Sequence, residues 1–255
     1  MNILVNGIGG KMGKFLVDLL SLDEEATLVA GVDKFADPKN FSVPVFSSFK
    51  DVKDVKVDAL IDFSRPDALQ DILDYSLKNN VAAVICTTGL SDEQINSIKE
   101  ASKKVPMFRS SNMSVGINVV IELCKKASKI LNEDVEIEII EQHHNQKVDA
   151  PSGTAIAIAD AINEEYNNEK NFVYGRSSKN QKRDRNEIGI HAIRGGTIVG
   201  KHDVMFIGHD EIVTIGHEAQ SRAVFAKGAI KAAKFLYSVK KPGLYNMSDL
   251  VNQIV

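Results

Sequence analysis

The first half of the chain alternates short apolar runs with amphipathic stretches. Residues 3–8 form an apolar run ending in glycines, and the runs at 27–32, 57–63, 82–88 and 105–109 repeat the theme. Between the first two, Met12, Phe15, Leu16, Leu19 and Leu20 fall at helical spacing across 11–22. Pro66 suits the first turn of a second helix, reaching about residue 79. Ser91-Asp92-Glu93-Gln94 reads as a further helix start. Apolar strands separated by helices predict a parallel sheet buried on both faces. Residues 33–54, which hold Asp37-Pro38-Lys39-Asn40, predict a loop with one short strand.

The pattern changes near residue 112. Residues 115–131 read as one long helix. Across 135–139, Val135, Ile137 and Ile139 alternate with Glu136 and Glu138, as in a half-exposed strand of antiparallel type. A helix is predicted over about 152–166, and the polar stretch 167–186 as a mobile loop. Strand-like pieces follow at 188–194, 197–207 and 211–218, with turn signals at Gly195-Gly196 and Gly208-His209-Asp210. Residues 221–237 close as a helix carrying Ala223, Val224, Phe225, Ala229, Ile230, Ala233 and Leu236.

Composition narrows the classes. With 44% hydrophobic and 25% charged residues, the chain is ordinary for a globular protein and unlike a disordered one. Its net charge of −3 argues against a general nucleic-acid or membrane-surface binder. No apolar run approaches the roughly 20 residues that span a bilayer. The first residues lack the basic start of a secretory signal, and Cys86 and Cys124 give neither a disulfide framework nor a zinc cluster. A cytoplasmic location is expected.

Gly7-Ile8-Gly9-Gly10-Lys11-Met12-Gly13 follows the first strand and opens the first helix. This is a near variant of the dinucleotide fingerprint. Gly7 permits the turn, Gly9 lets backbone approach a pyrophosphate, and a small residue near Met12-Gly13 allows close packing. The pyrophosphate would meet backbone N–H groups at the positive end of the helix. Asp33, ending the second strand, suits the ribose hydroxyls of NAD, whereas the neighbouring Lys34 suits the 2′-phosphate of NADP. Further strand ends carry Thr87-Thr88-Gly89, Ser110-Ser111-Asn112-Met113 and Ser64-Arg65-Pro66. Each could contact a coenzyme or be an ordinary helix cap.

The densest chemistry lies in Glu141-Gln142-His143-His144-Asn145-Gln146-Lys147-Val148-Asp149-Ala150-Pro151-Ser152-Gly153-Thr154-Ala155. Adjacent on a strand end, His143 and His144 point in different directions. Histidine exchanges protons near neutral pH, and Lys147 supplies a cation or a proton. Pro151 and Ser152-Gly153-Thr154 begin a helix, whose backbone N–H groups attract anions. The stretch suits a small, multiply anionic substrate with acid–base assistance. A metal pair lacks a third ligand at metal-site spacing. A solvated loop with a helix cap is the plainer alternative. His191, His202, His209 and His217 stand singly and read as structural or surface residues.

These residues resemble the 4-hydroxy-tetrahydrodipicolinate (dihydrodipicolinate) reductase family of the diaminopimelate and lysine pathway. The resemblance rests on Glu141-x-His143-His144-x-x-Lys147-x-Asp149-Ala150-Pro151-Ser152-Gly153-Thr154-Ala155. Supporting matches are Gly7-x-Gly9-Gly10-x-Met12-Gly13, Asp62-Phe63-Ser64-x-Pro66, Thr87-Thr88-Gly89, Asn112-Met113-Ser114-Val115-Gly116, Arg194-Gly195-Gly196 and Ser221-Arg222-x-x-Phe225-Ala226-x-Gly228-Ala229. Cys86 departs from the usual Gly, and Met113 from a common aromatic.

The resemblance implies a fold, a reaction and an assembly. The fold would be α/β: a Rossmann-type parallel sheet domain plus a second α+β domain with a mixed, largely antiparallel sheet. Residues 1–112 and 220–255 would bind dinucleotide; residues 113–219 would bind substrate and build a homotetramer, with a hinge closing over substrate. The reaction would use NADH or NADPH to reduce a small dicarboxylate, 4-hydroxy-tetrahydrodipicolinate, to tetrahydrodipicolinate and water. His143 would be the acid–base residue and Lys147 a proton donor or carboxylate anchor. His144 would help to bind substrate, with Ser152, Gly153 and Thr154 holding a carboxylate. Coenzyme contacts would come from Gly7, Ile8, Gly9, Gly10, Lys11, Met12, Asp33, Lys34, Cys86, Thr87, Thr88, Ser110, Ser111, Asn112 and Met113. No metal, nucleic-acid or membrane partner is expected. The alternatives are another Rossmann-type oxidoreductase acting on an amino acid or amino aldehyde, and a non-catalytic dinucleotide sensor. The first conflicts with the central signature and the second with an intact His143 and Lys147.

Overall fold

The computed structural model describes residues 1–110, 112–177 and 180–254. They divide into two compact units, Met1–Val115 with Arg222–Val255, and Gly116–Ser221.

The first unit is built on strands β1 (Asn2–Asn6), β2 (Thr27–Val32), β3 (Val45–Phe46), β4 (Ala59–Asp62), β5 (Ala82–Ile85) and β6 (Pro106–Arg109). Helices α1 (Lys11–Leu20), α2 (Leu69–Asn79) and α3 (Asp92–Ser102) connect them. All sheet pairings are parallel, in the order β6-β5-β4-β1-β2-β3. Strand side chains alternate between two cores. Ile3, Val5, Ile61, Val84 and Phe108 face one, with Leu16 and Leu20 of α1. Leu4, Leu60, Ala83, Ile85 and Met107 face the other, with Leu69, Ile72 and Leu73 of α2 and Ile98 and Ala101 of α3. Every residue of β4 and β5 is buried, which accounts for their unbroken apolar runs. Ser91 and Gln94 cap α3 reciprocally.

The second unit carries α4 (Val115–Leu131), β7 (Glu136–His143), α5 (Gly153–Glu164), β8 (Asn171–Tyr174), β9 (Glu187–Arg194), β10 (Gly200–Ile207) and β11 (Ile212–Ala219). Its sheet order is β11-β10-β7-β9-β8. Ile137, Ile139, Ile188, Ile190, Val204 and Phe206 turn one face of the sheet toward Val120 and Cys124 of α4 and Ala155, Ile158, Ala159 and Ile162 of α5. The sheet is antiparallel from β7 through β10 to β11, and parallel from β7 through β9 to β8. It is therefore more parallel than the strand pattern suggests. Gly195-Gly196 is not a hairpin turn: β7 lies between β9 and β10, so that connection crosses over a strand. Gly208-His209-Asp210 does join neighbours.

The chain then returns to the first sheet. Helix α6 (Ala223–Val239), strand β12 (Gly243–Tyr245) beside β6, and helix α7 (Met247–Ile254) add Ala226, Ala229, Ala233, Leu236, Met247 and Leu250 to the β1 side of the core. Small residues let α6 lie close. A Cβ at Gly228 would collide with the Met113 carbonyl oxygen.

The structure corrects the reading of 167–186 as a loop throughout, because Asn171–Tyr174 forms the edge strand β8. This strand is four residues long and half-exposed, too short to show a period. The pattern also missed β12 and α7.

Candidate active site

In the first unit, the chain leaves β1 through Gly7, whose φ of +77° favours glycine and whose N–H donates to the Val32 carbonyl at 2.8 Å. Gly9 N–H donates to Asp33 Oδ2 at 2.9 Å, and Asp33 Oδ1 accepts from the Phe35 and Ala36 N–H groups at 2.9 and 3.2 Å. One carboxylate thus shapes both the glycine loop and the turn after β2. A Cβ on Gly9 would lie 2.9 Å from the Ala36 Cβ and 3.0 Å from Asp33 Oδ2. Gly10 begins α1 without a side-chain cap. Gly7, Gly9, Gly10, Asp33 and Lys34 line a cavity of about 790 Å³ together with Ser64 and Arg65.

The remaining expected coenzyme residues are placed differently. Ile8 is fully buried and its side chain packs over Gly31. Lys11 is exposed and Met12 packs against the core. Cys86 and Met113 lie in that core, where burial drives the Cys86 thiol well above its ordinary pKa. Thr87 is buried and Thr88 exposed. Ser110 Oγ donates to the Asn112 carbonyl at 3.0 Å. Ser111 lies outside the described residues.

A buried acid that the sequence reading gave no role joins three strand ends. Asp62 accepts from Asn6 Nδ2 at 2.9 Å, Ser64 N at 3.0 Å and Thr87 Oγ1 at 2.7 Å. Burial raises its pKa against those hydrogen bonds. An acidic residue closing an otherwise apolar strand was the available signal.

In the second unit the strand alternation of β7 buries Glu141 and His143 on the face of Ile137 and Ile139. Glu141 Oε2 lies 2.6 Å from His143 Nδ1, and Oε1 accepts the Ser152 N–H at 2.9 Å. Arg194, brought opposite His143 by the β7–β9 register, donates Nη1 to Oε2 at 2.8 Å and Nη2 to Oε1 at 2.7 Å. Burial opposes charge on Glu141, but Arg194, His143 and the Ser152 N–H prevail and hold its pKa below the ordinary value. Burial lowers the His143 pKa, with Glu141 opposing. With Nδ1 held by Glu141, Nε2 is the ring nitrogen of His143 that Glu141 leaves open. Gly200 makes room for that edge: a Cβ there would stand 3.1 Å from Nε2.

Ser152 caps α5 by accepting the Ala155 N–H at 3.2 Å, and its Oγ lies 3.1 Å from Nε2 of buried His202. Lys147 Nζ donates to Asp149 Oδ1 at 2.8 Å. Asp149 also accepts the Gly153 N–H, and the Lys147 bond is the main reason its pKa falls. His144 is half-buried beyond the end of β7. The structure therefore gathers His143, Ser152 and the start of α5 around Glu141, and adds Arg194 and His202. Arg194 stood in a quoted motif without a role. His202 reads from the sequence as structural or surface, with no local signal to mark it. Among the described residues, no group of three or more His, Cys, Asp or Glu is arranged to hold a metal, and no helix is long and apolar enough to cross a membrane.

Residues 1–113 match the family profile described as dihydrodipicolinate reductase, N-terminus, and residues 116–251 match the profile of its C-terminus. The chain is 52% identical over 253 residues to the 4-hydroxy-tetrahydrodipicolinate reductase of Caldanaerobacter subterraneus subsp. tengcongensis, covering 99% of each chain. It is 49% identical over 251 residues to that of Clostridium botulinum, covering 98% of each. Dipicolinate-bound dihydrodipicolinate reductase from Paenisporosarcina sp. TG-14 aligns in structure with a TM-score of 0.81 at 26% identity, over 96% of this chain and 97% of that one. With both halves matched and over half of all positions shared with a relative of equal extent, the chain belongs to the dihydrodipicolinate reductase family.

Proposed function

We propose that this chain reduces 4-hydroxy-tetrahydrodipicolinate with NADH or NADPH, giving tetrahydrodipicolinate, oxidised coenzyme and water. The observation that carries this reading is the pairing of Arg194 with buried Glu141 and His143 beside the α5 start, in a chain 52% identical to a reductase of that name. One C–OH bond becomes C–H, so one hydride and one proton enter and one water leaves. Reduced nicotinamide, when bound, supplies the hydride.

The glycine loop fits such a coenzyme. Glycine at position 9 keeps a Cβ out of a crowded turn, the start of α1 has no side-chain cap, and the cavity beside it runs past Asp33 and Lys34. Asp33 would face ribose hydroxyls and Lys34 a 2′-phosphate. Further contacts would come from Thr87, Thr88, Ser110 and Asn112 at the ends of β5 and β6.

His143 would exchange a proton at Nε2, with Glu141 accepting Nδ1–H and so fixing its tautomer. Lys147 and the α5 start would hold a substrate carboxylate, aided by His144, Ser152 and Thr154. Asp149 supports this role, since its own carboxylate is already gripped by Lys147 Nζ at 2.8 Å and the Gly153 N–H. The Asp149 side chain is 59% exposed and that of Lys147 21%, so a ligand carboxylate could replace Asp149 at the ammonium by displacing it into solvent.

We place the enzyme in the cytoplasm, in lysine and diaminopimelate biosynthesis, as a homotetramer joined through the second sheet. Support for assembly comes from the sheet face turned away from α5, where Ile193 and Ile212 are 46% and 56% exposed. Light scattering that returns a monomer mass would remove the tetramer. The activity test supplies the product of dihydrodipicolinate synthase with each coenzyme. Reduced-nicotinamide absorbance should fall only when that product is present, and no fall at saturation overturns the assignment.

A further inference from the structure

Ser152 Oγ and His202 Nε2 lie 3.1 Å apart, both buried, and the direction of that hydrogen bond decides what Ser152 can offer a ligand. Ser152 Oγ already accepts the Ala155 N–H at 3.2 Å. Were its hydroxyl to donate to Nε2, the His202 proton would sit on Nδ1. Nδ1 is buried and has no hydrogen-bond partner among the described residues. A buried N–H donor with no acceptor is a rare and costly arrangement. The opposite direction pairs the His202 proton with Ser152 Oγ and leaves a bare lone pair at Nδ1. The Ser152 oxygen then accepts twice, and its own O–H is left to donate.

We infer that His202 is a positioning residue that donates Nε2–H to Ser152 and so directs the Ser152 hydroxyl proton toward a substrate carboxylate. The inference rests on the carboxylate-anchoring role proposed for Ser152. Two further observations support it. Burial lowers the His202 pKa to about 4, so the ring stays neutral near pH 7 and carries one proton. Its ring also stands edge-to-face against His143, with centroids 5.2 Å apart at 76°, which fixes its orientation. The β7–β10 register sets His202 opposite Glu141.

The test measures pyridine-2,6-dicarboxylate binding, with kcat and KM, for Ser152→Ala, His202→Leu, His202→Gln and the Ser152→Ala/His202→Leu double variant. Both Ser152→Ala and His202→Leu should weaken dicarboxylate binding about tenfold or more, and the double variant no further, because one hydrogen bond is lost in each. His202→Gln should recover most of the affinity, its amide N–H replacing Nε2–H, and kcat should move less than KM. Normal binding by Ser152→Ala overturns the anchoring role and this inference together. Weakened Ser152→Ala with normal His202→Leu, or penalties that multiply in the double variant, overturns this inference alone. Nitrogen-15 NMR of the wild-type enzyme gives a reading independent of variant folding. A proton on Nε2 of His202 is expected at pH 7, and one on Nδ1 refutes the assignment.

Discussion

Arg194 and Glu141 meet in a two-point contact, Nη1 to Oε2 at 2.8 Å and Nη2 to Oε1 at 2.7 Å, with the carboxylate wholly inaccessible to solvent. Removing the cation leaves a buried charge uncompensated. Arg194→Leu should lower stability by about 3–5 kcal/mol in urea unfolding. Arg194→Lys should recover part of this, because an ammonium cannot make the paired contact. A wild-type midpoint for Arg194→Leu would contradict the reading.

His143→Gln and Lys147→Ala should each lower turnover ~10²-fold or more. Neither residue is in the unit that holds the glycine loop, so NADH fluorescence titration should return wild-type coenzyme affinity. Near-normal turnover in both variants would remove them from the mechanism.

Two glycines of the Gly7–Gly13 motif, Gly13 in the first turn of α1 and Gly9 before it, should fail in different ways. A Cβ at Gly13 runs into the carbonyl oxygens of Ile8 and Gly7, so Gly13→Ala should cost about 3 kcal/mol or more of stability. A Cβ at Gly9 presses on Ala36 and Asp33 in a surface turn. Gly9→Ala should fold but bind coenzyme roughly tenfold more weakly. Equal melting temperatures for wild type and Gly13→Ala would show that the strand–helix turn relaxes.

Acid should destabilise the protein through His202. Its pKa falls from 6.5 unfolded to about 4 folded, chiefly by burial, so the unfolded chain binds the proton first. Stability from this group is complete above pH 6.5 and is lost as pH drops toward 4, by up to about 3 kcal/mol. Glu141, also lowered in pKa, acts in the same direction at lower pH. Melting temperature plotted from pH 7 to 4.5 should fall less steeply for His202→Gln than for wild type. Parallel curves would refute the assignment.

Much of the site was legible because its signals are local. The glycine loop declares itself within Gly7 to Gly13, and His143 and Ser152 stand in one dense polar stretch; the alternation read over 135–139, carried on to 143, would also have set Glu141 on the face of His143. Arg194 and His202 reach Glu141 only through strand register, and the alternation within one strand does not say which strand lies next to it. The same gap hid the crossover between β9 and β10. Strand β8 escaped because Phe172-Val173-Tyr174 is too short a run, set in a polar stretch, to show a period.

The first sheet's dependence on α6 and α7 bears on how the chain matures. When residues 1–115 leave the ribosome, one side of that sheet still lacks Ala226, Ala229, Ala233, Leu236, Met247 and Leu250. All of Gly116–Ser221 must be made before those residues exist. The inner unit can close on itself first, while the outer waits with Ile3, Val5, Ile61 and Val84 incompletely covered. Nascent chains halted near residue 220 should therefore draw chaperones to the β1 side of the sheet and release them once the last helices arrive.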